Sequence, residues 1–485
     1  MKRNAISRAL IAAAIALAGP SSAAADWPLY GHDLANSRSA GRAGPSASAL
    51  AGLGRAWTFS STNGDFTGTP FVANGTLVAG TSLGTIYALD AVSGKLRWSR
   101  NVGEQINGSA AIDLAAPGGP TAFVPIAQVG SPRLVALSLR TGKLRWDVVL
   151  GRAAGADVYG SPIYWHRTVY IGTSGPNNDE SSARGSVVAL NERTGAQRWR
   201  TYTVPRGDDG GAVWSTPAID TKRGRLYVGT GNAYHAPAAS TTDSMLMLAA
   251  RDGRILGHYQ SLAGDVWELD APTGGPDHDF GASPNLFRGP AGHPLVGEGS
   301  KSGTYWALDR ATMKPVWSTM VGPGSSVGGI LGSTAYDGTR IYGNDTADGE
   351  VWSLGRGGAS RWSGTDGGTV NFSPVSVANG VVYSITGVAG ILTARSASNG
   401  AVIAKLSLGS PTFGGVSAVG RALYVETGTG PAPQIAPYLP PTTKLDSNGT
   451  IVAFGDTSRS GAHHRRHHRS DRDKPGDHGD NGKDP

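Results

Sequence analysis

The sequence predicts an all-β protein folded as an eight-bladed β-propeller, and three observations lead to that prediction. A unit ending in tryptophan recurs along the chain, since Trp98, Trp146 and Trp199 are 48 and 53 residues apart, in or just above the period of propeller blades. Glycine is very frequent, with 72 copies, while charged residues make up only 16% of the chain. Each unit reads as a strand, a glycine-containing turn and a second strand, which is typical of many short strands and not of helical bundles.

The repeated unit has five well-preserved copies. They are GTIYALDAVSGKLRW, RLVALSLRTGKLRW, GSVVALNERTGAQRW, GTYWALDRATMKPVW and GEVWSLGRGGASRW, which end at Trp98, Trp146, Trp199, Trp317 and Trp362. A further strand lies upstream and is typically opened by a small residue followed by proline, as in TGTP, GSP, STP, ASP and FSP. Because the tryptophan recurs so regularly, we interpret it as an apolar plug between adjacent blades.

The chain contains eight such units, of which the fourth, seventh and eighth are degenerate. We expect their inner strands to carry Leu89, Leu137, Leu190, Leu248, Leu308, Leu354, Ala394 and Ala453. Four short strands cannot bury both faces of their sheet alone, whereas radial stacking around a channel covers the faces and protects the edges. The predicted propeller spans residues 26–455, and we expect the segment DWPLYGHDLANSR, which begins at Asp26, to join the last blade and close the ring.

Both ends of the chain lie outside the repeats. Residues 1–25 read as a secretory signal peptide, with a basic start, the apolar stretch ALIAAAIALA and small residues before Asp26. The mature protein is therefore expected to be exported, to the periplasm or the medium, and to have no membrane span. Residues 456–485 are almost free of apolar side chains, so we expect a disordered tail rich in His, Arg and Asp.

Composition excludes several classes of protein. The chain has no cysteine, so it forms no disulfide and carries neither an iron–sulfur cluster nor a covalently attached c-type haem. The formal net charge of +7 includes three positive charges of the signal segment. This modest charge, without a basic patch interleaved with aromatics, argues against a nucleic-acid partner.

Departures from the repeat indicate the candidate site, because blade geometry alone does not require them. Trp214 in GGAVWSTPAID is out of phase with the structural tryptophans, and the strand RLYVGTGN ends in Asn232 where other copies have no asparagine. An expanded loop carries Glu180, and the later loop GDVWELDAPTGGPDHDFGASP is dense in carboxylates. Such oxygens are the donors that Ca²⁺ prefers, while Trp214 and Lys301 suit a planar anionic cofactor. For Asn232 alone, a turn-forming role stays open.

These motifs resemble those of the pyrroloquinoline quinone (PQQ) dehydrogenases, a family of eight-bladed propellers that bind PQQ with Ca²⁺. The ALDxxTGKxxW-type repeat, DWPLYGHDLANSR and GGAVWSTPAIDTKRGRLYVGTGN are similar to family signatures. The runs GPDHDFGASPNLF and VGPGSSVGGI are most similar to the polyvinyl alcohol dehydrogenase branch, which oxidises secondary alcohols on extended substrates. The resemblance implies an exported quinoprotein dehydrogenase for an alcohol, secondary or polymeric.

The same resemblance implies roles for individual residues. Those implied to contact PQQ are Trp214, Lys301, Ser174 and Gly175. Those implied to bind Ca²⁺ are Glu180, Asn232 and Asp279. The family usually has a threonine where this chain has Tyr159, and methanol-type members have a pair of adjacent cysteines that is missing here.

A carboxylate of the acidic loop is implied to accept the hydroxyl proton while hydride passes from the carbinol carbon to the quinone. Alignment of the loop from GDVW makes this base Glu268, and alignment from DFG makes it Asp279. We prefer Asp279, because it retains the shorter side chain of the family and keeps the strand PNLF in register. Asp277 is a third candidate.

Two other functions stay open from the sequence. One is a cofactor-free PQQ-like propeller that acts as a binding or assembly scaffold. The other is an exported polymer-binding or carbohydrate-active propeller that uses the acidic loop for acid–base chemistry. The dehydrogenase interpretation requires an alcohol or polymer substrate and, because no haem motif is present, a separate electron acceptor such as a c-type cytochrome.

Overall fold

The computed structural model describes residues 26–175, 181–268, 275–365, 367, 370–430 and 448–456. The predicted signal peptide lies outside these ranges, and so does the predicted tail apart from Asp456, which ends a strand. The described residues form eight four-stranded antiparallel sheets. The first strand of blade 8 contacts that of blade 1, so the ring is closed. The predicted eight-bladed β-propeller is confirmed.

Each blade consists of four strands that follow one another from the channel outwards. Blade 1 has Phe71–Ala73, Thr76–Gly80, Thr85–Asp90 and Leu96–Asn101; blade 2 has Ala111–Asp113, Thr121–Ile126, Arg133–Ser138 and Leu144–Val149; blade 3 has Ile163–Trp165, Thr168–Thr173, Ser186–Asn191 and Gln197–Tyr202; blade 4 has Ala218–Asp220, Arg225–Gly229, Ser244–Ala249 and Ile255–Gln260. Blade 5 has Asn285–Arg288, Pro294–Gly299, Thr304–Asp309 and Pro315–Met320; blade 6 has Ala335–Tyr336, Arg340–Asn344, Glu350–Gly355 and Ser360–Thr365; blade 7 has Ser376–Ala378, Val381–Thr386, Ile391–Ser396 and Val402–Ser407; blade 8 has Val416–Val419, Ala422–Glu426, Thr450–Asp456 and Leu53–Ser60. The described helices are the α-helix Ala47–Leu50 and the 3₁₀ turn Pro290–Gly292, and neither is long enough to cross a membrane.

The eight residues expected on inner strands mark one strand in every blade, but that strand is the third and not the innermost. Leu89, for example, lies on Thr85–Asp90, while the innermost strand of blade 1 is Phe71–Ala73. The innermost strands are only two to four residues long because the blades converge at the channel. The conspicuous apolar runs of the sequence therefore belong to the third strands, which pack against both neighbouring blades.

The ring is closed by a different segment from the one expected. The outer strand of blade 8 is Leu53–Ser60, which pairs antiparallel with Thr450–Asp456. The segment DWPLYGHDLANSR instead follows the innermost strands, pairing with Val72 of blade 1, Ile219 of blade 4 and Val377 of blade 7. Those strands have unpaired inner edges that need hydrogen-bond partners, and this segment supplies them.

The repeated tryptophans lock adjacent blades together, as predicted. Each indole nitrogen donates to a backbone carbonyl of the next blade; the pairs are Trp57–Ala91, Trp98–Leu139, Trp146–Glu192, Trp199–Ala250, Trp317–Arg356 and Trp362–Ala397, at 2.8–3.2 Å. Each ring also packs on the turn glycine of that blade, as Trp98 packs on Gly142. The turn of the repeat therefore requires glycine for two reasons: the residue has a positive φ, and an indole ring covers the position of a Cβ.

Gly142→Ala is expected to lower the free energy of unfolding by about 2–4 kcal/mol, measured by chemical denaturation. Gly142 has φ +68°, and a Cβ there would lie 2.6 Å from the Trp98 ring. Gly380→Ala is the matched control, because Gly380 has φ +77° and nothing within 4 Å of a Cβ. It isolates the conformational cost of about 1–2 kcal/mol. Equal losses in the two variants would mean that the indole contact contributes nothing.

The contact between the large side chain and the glycine is reversed between blades 4 and 5, which explains why the fourth unit looks degenerate. Gly257 occupies the register position of the tryptophan, opposite Met247. Met313 occupies the position of the turn glycine, with φ 60°, and its side chain is buried. A Cβ on Gly257 would lie 3.5 Å from Met313 Cγ. The large side chain has moved to the other blade, so the space is still filled.

Hydroxyl groups join the blades around the channel and explain the small residue before proline in several units. The residues that form this belt are Thr69, Ser109, Ser161, Thr216, Ser283 and Ser333. The backbone N–H of each of the first five donates to the hydroxyl of the next residue in this order, on the next blade, at 2.7–3.1 Å. These residues line a channel cavity of about 180 Å³. The small residue before proline therefore joins adjacent blades and also forms part of the channel wall.

Candidate functional site

The loops that carry the candidate residues leave the propeller at one face. Along an antiparallel blade, the connection from the second to the third strand and the connection to the next blade emerge at the same end of the sheet. Asn232 and Lys301 lie on connections of the first kind, in blades 4 and 5. Trp214 and Asp279 lie on connections of the second kind, before blades 4 and 5. Residues far apart in the sequence are thus brought to one rim of the channel.

Asn232 joins two loops, and this answers why one copy of the strand ends in a carboxamide. Its backbone N–H donates to Asp279 Oδ1 at 2.6 Å. Its side-chain nitrogen donates to the carbonyl oxygens of Ala233 and Trp267, at 2.6 and 2.7 Å. The preceding Gly231 lets the carboxylate approach, since a Cβ there would lie 3.0 Å from Asp279 Oδ1. Asn232 is buried, so these bonds fix the acidic loop against the strand end.

Lys301 and two aspartates form a buried ion cluster. Lys301 Nζ donates to both carboxylate oxygens of Asp277, at 2.8 and 2.9 Å, and lies 3.1 Å from Asp279 Oδ2. Burial alone would lower the pKa of Lys301, but Asp279 and Asp277 outweigh it and the net shift is upward. Burial and the charge of Asp279 raise the pKa of Asp277 to about 7, although Lys301 opposes the shift. The lysine is therefore held in its charged form by both carboxylates.

Two tryptophans lie beside this cluster. Lys301 Nζ is 5.5 Å from the ring centroid of Trp214 and 5.6 Å from that of Trp267, within the range of a cation–π attraction. The indole of Trp214 packs against the backbone at Gly281, where a Cβ would collide with it. Trp214 also lines the channel cavity together with Tyr159. The candidate site therefore presents aromatic surface next to a fixed positive charge.

The two candidate bases have different surroundings. Asp279 is part of the cluster with Asn232 and Lys301. Glu268 instead pairs with His235, at 3.2 Å from its Nε2, and the Nδ1 of the same ring lies 2.5 Å from Asp209. The alignment based on DFG thus selects the carboxylate at the ion cluster, and the alignment based on GDVW selects one paired with a histidine.

Two of the remaining predicted residues, Ser174 and Gly175, are among the described residues. Ser174 exchanges backbone hydrogen bonds with Asp157, and the carbonyl of Gly175 accepts a hydrogen bond from Tyr234. Ser174 and Gly175 directly follow the second strand of blade 3, so they lie on the same face of the propeller as the cluster. Glu180 lies outside the described residues.

Sequence reasoning missed Trp267 and Asp243. Trp267 is an out-of-phase tryptophan, the signal that identified Trp214, but it was hidden among the carboxylates of its loop. Asp243 is buried, and neither of its carboxylate oxygens has a hydrogen-bond partner among the described residues. Burial, with the charges of Asp279 and Asp265, raises its pKa to about 10. At neutral pH Asp243 is thus protonated and adds no charge to the site.

Across the described ranges, no three His, Cys, Asp or Glu side chains converge as a group that could hold a metal ion. The predicted calcium ligands include a carboxamide and one residue beyond those ranges, Glu180. A measurement of Ca²⁺-dependent binding is therefore the test of these predicted ligands.

Comparison with protein families identifies the repeat. A family model of PQQ-type propellers, described as outer membrane protein assembly factor BamB, matches residues 49–275 and 246–425. The chain belongs to the PQQ-propeller family. The matched residues cover blades 1 to 7 and part of blade 8, so the match includes the described residues of the candidate site.

Curated relatives of this PQQ propeller include two polyvinyl alcohol dehydrogenases, which confirms the resemblance inferred from the motifs. The protein from Pseudomonas sp. is 27% identical over 350 residues, covering 65% of this chain and 54% of the relative. The protein from Sphingopyxis sp. (strain 113P3) is 30% identical over 295 residues, covering 53% and 45%. A quinohemoprotein alcohol dehydrogenase from Comamonas testosteroni is 27% identical over 288 residues, covering 50% and 40%. The chain spans about half the length of these relatives.

Solved structures share the fold of this PQQ propeller. The quinohemoprotein alcohol dehydrogenase of Comamonas testosteroni superposes with a TM-score of 0.72 at 18% identity, covering 89% of this chain and 80% of the other. A europium-containing methanol dehydrogenase gives 0.72 at 17% identity, covering 89% and 98%. BamB from Moraxella catarrhalis gives 0.56 at 16% identity, covering 82% and 98%. At these identities the likeness concerns the fold alone.

Proposed function

We propose that this chain is an exported PQQ-dependent dehydrogenase that oxidises an alcohol, secondary or polymeric. The observation that carries the proposal is the buried cluster of Lys301, Asp277 and Asp279, tied to Asn232 at the rim of the channel. Burying three charged groups is costly, and a pair of apolar residues would stabilise the loop as well. A role in chemistry therefore accounts for the cluster better than a role in stability.

The residues present fit a planar quinone that bears carboxylate groups. Trp214 and Trp267 supply aromatic surface, and Lys301 supplies a positive charge within 6 Å of both rings. Ser174 and Gly175 approach the same rim through Asp157 and Tyr234. We therefore propose Trp214, Lys301, Ser174 and Gly175 as the residues that contact PQQ.

The charge balance of the site supports a divalent cation as a second component. Besides burial, the negative charges of Asp279 and Asp265 raise the pKa of Asp277. The cation Lys301 pairs with both Asp277 and Asp279. A site with this excess of negative charge accepts an anionic cofactor only together with a cation. Hard oxygen donors select Ca²⁺ over softer metals. The proposed ligands are Asp279, Asn232 and Glu180.

Bound PQQ would supply the hydride acceptor. We propose that Asp279 takes the hydroxyl proton of the alcohol, with Glu268 as the alternative base. Asn232 N–H holds one oxygen of the Asp279 carboxylate and Lys301 holds the other, so its orientation is fixed before substrate arrives. Asp277 balances the second side of Lys301 and so keeps the lysine at Asp279. Electrons would then leave to a separate acceptor, such as a c-type cytochrome.

The test is a titration of PQQ into the purified protein, with Ca²⁺ or with a chelator, followed by tryptophan fluorescence. We expect saturable quenching that requires Ca²⁺, is abolished in Asn232→Ala and is strongly reduced in Trp214→Phe, because the stacking indole is the quenched group. Trp165→Phe is the matched control, since Trp165 lies at the opposite face, on the first strand of blade 3. It is expected to bind PQQ like the wild type.

Absence of binding at micromolar PQQ would overturn the proposal. The alternative would then be a cofactor-free propeller that acts as a binding or assembly scaffold, and the matching family model is described as an assembly factor. PQQ binding that persists in the presence of the chelator would support PQQ as the cofactor but contradict the proposed role of Ca²⁺.

A further inference from the structure

The face opposite the candidate site carries two adjoining clefts. One has a volume of about 620 Å³ and lies at the hairpins of blades 4, 5 and 6. The other, also about 620 Å³, lies between blades 3 and 4. Arg223, in the first hairpin of blade 4, lines both clefts. The two clefts therefore form one continuous surface, which we call the far-face groove.

The far-face groove is strongly basic. The charged residues that line the first cleft are Lys222, Arg223, Arg288, Arg310, Arg356 and Asp220. Those that line the second are Arg198, Arg223, Arg251, Arg254 and Asp252. Counting Arg223 once gives eight cations and two carboxylates, a net charge of +6, compared with +7 for the whole chain. The groove thus concentrates positive charge on one face of a chain whose total charge is modest.

The cations in the first cleft are only partly neutralised. Asp220 accepts a hydrogen bond from Arg223 at 3.1 Å and lies 3.6 Å from Arg310 Nη1. Arg310 also donates to the carbonyl of Phe287, but its Nε has no acceptor among the described residues. Burial lowers the pKa of Arg310, and the attraction of Asp220 offsets this only in part. The cations of this cleft share one lining carboxylate, so an oxyanion that enters the cleft would find cations with which to pair.

Apolar side chains lie deeper in the groove than the cations. Ile219, Leu286 and Phe287 line the first cleft and are buried, whereas Lys222 and Arg288 at its mouth are exposed. A ligand made only of charged groups, such as a phosphate polymer, would leave the apolar part unused. A ligand that carries both carboxylates and apolar side chains would use the whole surface.

The aromatic rings of the second cleft are already engaged with one another. Trp165 packs on His166, with centroids 4.0 Å apart, and Tyr170 packs on Trp199 at 5.9 Å. Single-stranded nucleic acids bind by stacking bases on free aromatic faces. The groove is thus better suited to a peptide than to a nucleic acid.

We propose that the far-face groove binds an acidic segment of a partner protein, a peptide with alternating carboxylate and apolar side chains. Guanidinium groups pair with carboxylates in a planar, two-point geometry, which suits the arginines at the mouth of both clefts. The apolar side chains of the segment enter the clefts. This binding needs neither PQQ nor substrate, because the groove and the candidate site lie at opposite faces.

The probe is a fluorescein-labelled peptide of alternating glutamate and leucine, and binding to the full chain is followed by fluorescence anisotropy. Arg251→Ala and Arg356→Ala each remove one exposed cation, from different clefts, and each is expected to weaken binding about tenfold. Arg421→Ala is the matched control, because Arg421 is exposed on the corresponding first hairpin of blade 8. Binding should weaken as salt rises, and thermal midpoints of all variants should match the wild type.

Three results would overturn the proposal. No binding of the peptide at low salt would show that the groove has no such ligand. A loss confined to one of the two variants would show that the segment does not span both clefts. Equal affinity for polyphosphate, or for polyglutamate of the same length, would show that charge alone is recognised and that the apolar part has no role.

Discussion

Asp279→Asn is expected to lower the turnover number of the PQQ-loaded protein by about three orders of magnitude while leaving its affinity for PQQ unchanged within about twofold. The reason is that the amide oxygen of asparagine can still accept from the Asn232 N–H and bind Ca²⁺, but the amide cannot take up a proton. Turnover is measured with an artificial electron acceptor and a secondary alcohol, and affinity by the titration of PQQ with tryptophan fluorescence.

Glu268→Gln is the control for Asp279→Asn, because Glu268 is the base in the alternative alignment. Its carboxylate pairs with His235, so we expect the variant to turn over like the wild type. Normal turnover in Asp279→Asn together with an inactive Glu268→Gln would contradict the prediction. The alignment based on GDVW would then be the correct one.

Lys301→Met is expected to lower the free energy of unfolding by about 3–5 kcal/mol, the usual cost of leaving buried charges without their partner. Methionine has nearly the shape of the lysine stem, so packing is retained while Asp277 and Asp279 lose their shared cation. The measurement is urea denaturation with linear extrapolation to water. Lys314→Met in the same blade is the control, because Lys314 is exposed and should change stability by less than about 0.5 kcal/mol.

A second substitution tests the cause of that loss. Asp277→Asn removes one of the two carboxylates that face each other once the lysine is gone. The double variant Lys301→Met/Asp277→Asn is therefore expected to be more stable than Lys301→Met alone. If the double variant is less stable than either single one, like-charge repulsion is not the reason for the loss.

The repeat could be predicted because each blade is built from neighbours in the sequence. The tryptophan, the turn glycine and the small residue before proline each act within one blade or on the next one. Where the pattern was altered, as with Gly257 and Met313, the unit looked degenerate although the contact is preserved. Only the register between strands showed that the large side chain had changed blades.

The closure of the ring could not be predicted in detail, because the two strands that pair are far apart in the sequence. Leu53–Ser60 pairs with Thr450–Asp456 across nearly the whole length of the chain. No local pattern distinguishes that pairing from the one expected for DWPLYGHDLANSR, which lies along the innermost strands instead. Both segments were available to complete a sheet, and packing decided between them.

The number of blades, the family and the short list of side chains that blade geometry does not need could all be predicted before the fold was known. Period and turn chemistry are local properties, so they are visible without a structure. The fold was needed to show that Asp279 accepts from the Asn232 N–H across 47 residues, that Asp277 and Asp279 share Lys301, and that Glu268 pairs with His235. These contacts join connections of unequal length from different blades, and their geometry depends on how the ring places the ends of the strands.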